Sequence, residues 1–92
     1  MILSHKKIIN LPVETKSGQL LGAISHFDLE ADEHRVIRYY VKSRQLIRGL
    51  LNKELIIGID QVVALTPEKM VVEDNVGREA KVSAEKTVSV TT

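Results

Sequence analysis

The sequence has no cysteine and no tryptophan, and its only aromatic residues are Phe27, Tyr39 and Tyr40. Without cysteine, the chain forms no disulfide, thiolate nucleophile, iron–sulfur cluster or cysteine-ligated zinc site. This composition suits a reducing compartment, so a cytoplasmic protein is expected. Because small domains bury proportionally little surface and large rings are scarce here, pairing with a second copy or with a partner would help to stabilise the fold.

Long hydrophobic runs are also missing. No apolar stretch approaches the ~20 residues that cross a bilayer, and residues 1–7 contain no signal-peptide hydrophobic region, so no membrane insertion is expected. No glycine-rich loop opens a helix, so no phosphate-cradling cofactor site is predicted. With 92 residues, against about 100–150 in a typical domain, the chain is expected to form one core.

Short β-branched and apolar runs separated by turn residues predict an all-β chain. The expected architecture is a small, partly open barrel of about six strands. The predicted strands cover residues 8–15, 20–30, 36–42, 55–59, 62–65 and 70–73. Turns are predicted at residues 16–19, where Gly18 is free to take a positive φ, and at residues 31–34 and 66–69.

The second predicted strand does not keep a strict period of two. An extra residue resets the alternation, so a bulge near Gly22 or at Ser25–His26 would return the apolar residues to one face. Those residues are Leu21, Ile24, Phe27 and Leu29.

The third predicted strand alternates cleanly. Ile37, Tyr39 and Val41 are expected in the core. The residues between them are expected on the outer side of the sheet: Arg38, Tyr40 and Lys42.

The rest of the chain is less regular. Apolar spacings of three and four predict a short helical turn near residues 43–51. Gly58 is expected where two backbones approach closely. After Gly77 the periodicity fades, so the domain is assigned to residues 1–77 and a flexible tail to residues 78–92.

The order and spacing of these strands resemble the PRC-barrel family, named for the photosynthetic reaction centre. The resemblance rests on Leu11-Pro12-Val13, on Ser17 to Ile24, on Val36 to Val41, and on the pair of segments Gln61 to Leu65 and Met70 to Asp74. Family members form a small β-barrel in the reaction centre H subunit or in a ribosome maturation factor. The sequence shows neither a membrane anchor nor an RNA-processing domain, so it is similar to stand-alone members. That similarity implies a protein-docking role without catalysis.

Charge is unevenly distributed along the chain although the net charge is only +1. Every charged residue between His34 and Lys53 is basic, whereas acids predominate from Glu54 to Glu79. The basic stretch supplies the candidate partner-binding residues: Arg35, Arg38, Tyr40, Lys42, Arg44 and Arg48. Their expected partner is a protein, with a homodimer favoured among assemblies.

RNA is the alternative partner, and the chain would then be a ribosome-maturation-like or Sm-like RNA-associated module. Arginines and lysines of segment 35–53 could bind phosphates while Tyr40 stacks on a base. The hairpin at residues 17–22 and the tripeptide Ile47-Arg48-Gly49 also resemble Sm-like RNA-binding barrels. Against this alternative, strands continue well beyond Arg48.

Neither the histidines nor the acids form a pattern that predicts catalysis or metal binding. His5, His26 and His34 share no ligand spacing, so no metal site is predicted. The acids between residues 28 and 33 have no nucleophile beside them and are expected to keep a turn solvated. No cofactor is predicted, and the chain is not expected to be an enzyme.

Overall fold

The computed structural model of the chain describes residues 1–43 and 54–76, and it contains one mixed sheet of six strands. The strands are β1 (Pro12–Thr15), β2 (Leu20–Glu30), β3 (Arg35–Ser43), β4 (Glu54–Gly58), β5 (Val62–Leu65) and β6 (Met70–Val72). Their order in the sheet is β4-β3-β2-β1-β6-β5, and among the described strands only β1 and β6 run parallel. The sheet does not close between β4 and β5, which makes the fold the small, partly open, all-β barrel that the sequence predicts.

The segment before β1 differs from the prediction, which had a strand starting at Ile8. It contains a short helix, α1 (His5–Ile8), in which the carbonyl oxygen of Ser4 accepts a hydrogen bond of 3.1 Å from the Ile8 amide. Asn10 then takes a positive φ of 76° and redirects the chain, so β1 begins only at Pro12. A serine cap and one left-handed residue thus override the apolar pattern locally.

Two bulges bend β2 at the places that the sequence predicts. Leu21 is an extra residue in the pairing with β1, and Ser25 is an extra residue in the pairing with β3. As a result, Leu21 and Ile24 are buried and Phe27 packs against the core. Leu29 was expected beside them, but it is 56% exposed because it lies at the far end of the strand, next to the turn.

A third bulge changes which residues of β3 face inwards. Tyr39 and Val41 are buried, as predicted, but Ile37 is not part of the core. The pairing with β2 skips Ile37, and Val36 packs against the core in its place. The predicted alternation therefore fails at one residue, where the strand itself is irregular.

The core lies on the inner face of the sheet. Six apolar residues there have no exposed surface: Val13, Ile24, Val41, Ile57, Met70 and Val72. Gly22 lies against the backbone of Lys42 with a φ of 155°. Gly58 does not mark a second close approach of backbones, as was expected, because the nearest atom to a Cβ there is Oδ1 of the Asp60 side chain, at 2.9 Å.

Two sequence predictions concern residues that lie almost entirely outside the described part of the chain. The helical turn near residues 43–51 lies outside the described residues, apart from Ser43 at the end of β3, and so does the tail at residues 78–92. A single turn of 3-10 helix, Ile59–Gln61, connects β4 to β5. In residues 1–43 and 54–76, no helix is long and apolar enough to cross a membrane.

Candidate functional site

The side of the sheet opposite the core carries polar side chains from β2, β3 and β4. We call this surface the outer face. The pairing of the strands arranges it in three rows, each running across the three strands. The rows are Asp28–Arg38–Gly58, His26–Tyr40–Ile56 and Ala23–Lys42–Glu54.

Asp28 joins two residues of β3 on this face. Its Oδ2 atom accepts a hydrogen bond of 2.7 Å from Nη1 of Arg38 and another of 2.7 Å from the hydroxyl of Tyr40. Arg38 lies directly opposite Asp28 in the pairing, while Tyr40 reaches it diagonally. The three side chains are therefore held in one arrangement although they are partly exposed.

These contacts shift the pKa values of Asp28, Arg38 and Tyr40. The hydrogen bond from Tyr40, followed by the interactions with Arg38, lowers the pKa of Asp28 below its ordinary value. The same bond raises the pKa of Tyr40, since it stabilises the protonated phenol. The pKa of Tyr39 is also raised, but by burial.

Replacing Asp28 with asparagine is expected to lower the pKa of Tyr40 and to leave the pKa of Tyr39 raised. The chain has two tyrosines and no tryptophan, so an ultraviolet titration of the phenolates resolves both groups. Asp74→Asn is the matched control, because Asp74 accepts its hydrogen bond from Ser17 and not from a tyrosine. If both tyrosines shifted together in Asp28→Asn, the change would reflect general loosening and not loss of this bond.

Tyr40 is also covered on one side of its ring. The imidazole of His26 stacks on it, with ring centroids 4.1 Å apart and planes 13° from parallel. Ile56 is the neighbour of Tyr40 on the other side, in β4. One face of the phenol ring is therefore covered by a side chain of its own sheet.

Ser25, His26 and Glu54 lie close together at one end of the outer face. The hydroxyl of Ser25 lies 3.0 Å from Nδ1 of His26, and it donates to Oε2 of Glu54 at 3.0 Å. The same carboxylate oxygen lies 3.8 Å from Nδ1. In a serine–histidine–carboxylate triad, the serine and the acid contact opposite nitrogens of the ring. Here both contact the same nitrogen, so the acid does not orient the ring as a general base.

The charges on the described part of β3 are largely matched by acids. Arg38 is paired with Asp28 at 2.7 Å, and Arg35 is paired with Glu33 at 2.9 Å. Lys42 is exposed and lies opposite Glu54 in the pairing of β3 with β4. The outer face therefore has mixed charge, although the segment that supplies its cations has no acid of its own.

The six candidate partner-binding residues are only partly brought together. Arg38, Tyr40 and Lys42 share the outer face, and Arg35 lies at the start of β3 in its ion pair with Glu33. Arg44 and Arg48 lie outside the described residues.

Sequence reasoning missed four residues of this surface: Ser25, His26, Asp28 and Glu54. Asp28 was expected to keep a turn solvated, but it lies on the strand and holds Arg38 and Tyr40. Strict pairing back from the turn at residues 31–34 would have placed Asp28 opposite Ile37, and only the bulge at Ile37 brings it opposite Arg38. Glu54 carried no signal either, because its contact with Ser25 spans 29 residues of sequence.

No group of three or more histidine or acidic side chains in residues 1–43 and 54–76 is arranged to hold a metal ion. Compared with known proteins, the chain matches no family model and no curated sequence, so its function is inferred from the geometry of the outer face.

Proposed function

We propose that this chain is a non-enzymatic protein-binding module of the PRC-barrel type, an adaptor in the cytoplasm that associates with a second copy of itself. The observation that carries the proposal is the mixed charge of the outer face. Acids from neighbouring strands accompany Arg38 and Lys42, and Glu33 of the preceding turn accompanies Arg35. Such a surface complements a protein surface with charges of both signs.

The same charges argue against RNA as the partner. A polyanion is held by cations that neutralise its phosphates, and affinity grows with the number of such contacts. Asp28 and Glu33 already neutralise two of the arginines, and they would repel a phosphate brought close to them. His26 also covers one face of the Tyr40 ring, so a base could stack only on the other face.

The arrangement of Ser25, His26 and Glu54 supports a role without catalysis. Covalent catalysis by serine needs a base that is oriented by a third group. In this cluster the Ser25 hydroxyl lies within hydrogen-bonding distance, 3.0 to 3.1 Å, of Nδ1 of His26, the carboxylate of Glu54 and the carbonyl oxygen of Tyr40. The hydroxyl is thus engaged in holding β2, β3 and β4 together.

The small core and the open sheet support the proposed self-association. A chain of 92 residues with three aromatic side chains buries little apolar surface. Two strands, β4 and β5, have an edge that pairs with no other described strand. Such edges carry free backbone donors and acceptors, which favour pairing with another chain.

Sedimentation velocity tests this proposal between about 5 and about 200 µM, a range over which a reversible dimer changes its population. We expect the mass to rise from 10.3 kDa towards twice that value. A strict monomer throughout the range would contradict self-association.

RNA binding is tested in parallel by fluorescence anisotropy with a labelled single-stranded RNA, at about 50 to 200 mM salt. We expect no saturable binding. Binding that strengthens as salt is lowered, and that Arg38→Glu abolishes while Lys6→Glu does not, would favour the RNA alternative instead.

A further inference from the structure

The Ser25 hydroxyl has more acceptors around it than it can serve. It lies 3.0 Å from Nδ1 of His26, 3.0 Å from Oε2 of Glu54 and 3.1 Å from the carbonyl oxygen of Tyr40. A hydroxyl has one proton to donate, and a carboxylate or a carbonyl only accepts. A neutral imidazole has one nitrogen that donates and one that accepts. The protonation of Nδ1 therefore decides how many of these contacts are hydrogen bonds.

Counting protons favours a protonated Nδ1. If Nδ1 carried only its lone pair, the single hydroxyl proton would face three acceptors, and two of them would receive no hydrogen bond from the cluster. If Nδ1 is protonated, it donates to Oγ of Ser25, and the hydroxyl donates in turn to Glu54, which is the charged acceptor. Only the Tyr40 carbonyl is then left without a proton from the cluster.

The position of Glu54 leads to the same assignment. Its Oε2 atom lies 3.8 Å from Nδ1 of His26. A lone pair on Nδ1 would face this negative charge, whereas an N–H group there is attracted to it. Because the hydrogen bond made by one ring nitrogen determines which nitrogen is protonated, Ser25 and Glu54 together favour one tautomer of the neutral ring.

We propose that Ser25 and Glu54 hold neutral His26 as the Nδ1–H tautomer, so that its Nε2 atom is a hydrogen-bond acceptor on the outer face. The His26 side chain is 53% exposed, and no group in residues 1–43 and 54–76 bonds to Nε2. Stacking on Tyr40 keeps the ring in place. The inference refines the binding surface of the proposed function and rests on it. A partner docked on this surface meets an acceptor, which pairs with an N–H or O–H group of that partner.

Long-range ¹H–¹⁵N NMR of the labelled chain distinguishes the two tautomers, at a pH of about 8.5 where an ordinary imidazole is neutral. His34 is the internal comparison, because it is exposed and its ring has no hydrogen-bond partner among the described residues. We expect the ratio of Nδ1–H to Nε2–H to be about fivefold higher at His26 than at His34, the factor that one net hydrogen bond contributes. Equal ratios at the two histidines would overturn the proposal.

Two substitutions test whether Ser25 positions the ring. Ser25→Ala removes the hydroxyl, so the tautomer ratio at His26 is expected to fall to that at His34. Ser25→Thr keeps the hydroxyl and suits a strand, so it should retain the wild-type ratio. A wild-type ratio in Ser25→Ala would contradict the role of the hydroxyl. The wild-type spectrum decides the tautomer by itself, should Ser25→Ala not fold.

Diethyl pyrocarbonate probes whether Nε2 is available, because it acylates an imidazole only through an unprotonated nitrogen. We expect His26 to react at a rate comparable to that of His34, as located by tandem mass spectrometry. No reaction at His26 while His34 reacts would overturn the proposal. Both measurements use the chain alone. A strict monomer with the expected tautomer would therefore contradict self-association only, and a dimer whose His26 lacks this tautomer would contradict the present proposal only.

Discussion

Replacing Gly22 with alanine is expected to lower the free energy of unfolding by about 3 kcal/mol, from overpacking and backbone strain together. A Cβ at this position would overlap the backbone carbonyl of Lys42, with the carbonyl carbon at 2.8 Å and the Cα of Ser43 at 3.1 Å. These atoms belong to the backbone of β3 and have no flexible side chain to move. The φ of 155° is also one that alanine rarely adopts. Thermal unfolding followed by circular dichroism should show a melting temperature lower by about 15 °C.

Gly18→Ala separates the close approach from the dihedral angle. Gly18 also has a positive φ, of 97°, but nothing lies within 4 Å of a Cβ placed there. Only the conformational cost remains, and a loss of about 1 kcal/mol is expected. Similar losses in the two variants would mean that β2 and β3 can separate near Gly22.

Truncating Ile57 to alanine is expected to cost about 3 kcal/mol, as for other fully buried isoleucines. Ile57 has no exposed surface and packs in the core, yet it belongs to an edge strand that only β3 supports among the described strands. The loss combines the transfer free energy of the removed methyl groups with the cavity that they leave. Urea unfolding at a protein concentration where the chain is monomeric is the appropriate measurement.

Ile56→Ala provides a control on the next residue of the same strand. Ile56 has the same side chain but lies on the outer face and is only half-buried. Its truncation is expected to cost about 1 kcal/mol or less in the monomer, since little buried surface is removed. Equal losses at the two positions would contradict the assignment of Ile57 to the core and Ile56 to the outer face.

The fold class could be predicted from the sequence because its signals are local. Alternation in β3, the turn around Gly18 and the irregular spacing in β2 each depend on a few consecutive residues. The bulges at Leu21 and Ser25 were foreseeable for the same reason, since only an extra residue reconciles the spacing of Leu21 and Ile24 with one core. The bulge at Ile37 was not, because β3 alternates without a break in the sequence and the irregularity exists only relative to β2.

The environment of the candidate residues was decided by tertiary structure. Along the chain, the segment that contains β3 reads as a basic stretch without acids. In the sheet, Asp28 lies on one side of β3 and Glu54 on the other, so the stretch becomes part of a surface of mixed charge. Register determines which side chains become neighbours, and register is set by contacts between residues far apart in sequence.

The sequence alone therefore determined a small all-β chain without cysteine chemistry, together with the cations that its third strand contributes. Only the tertiary structure decided that Arg38 meets a carboxylate, that His26 covers Tyr40, and that β4 is an edge strand among the six described strands. The physical reason is that composition and periodicity act within one strand, whereas ion pairs, ring stacking and edge exposure depend on which strands lie side by side.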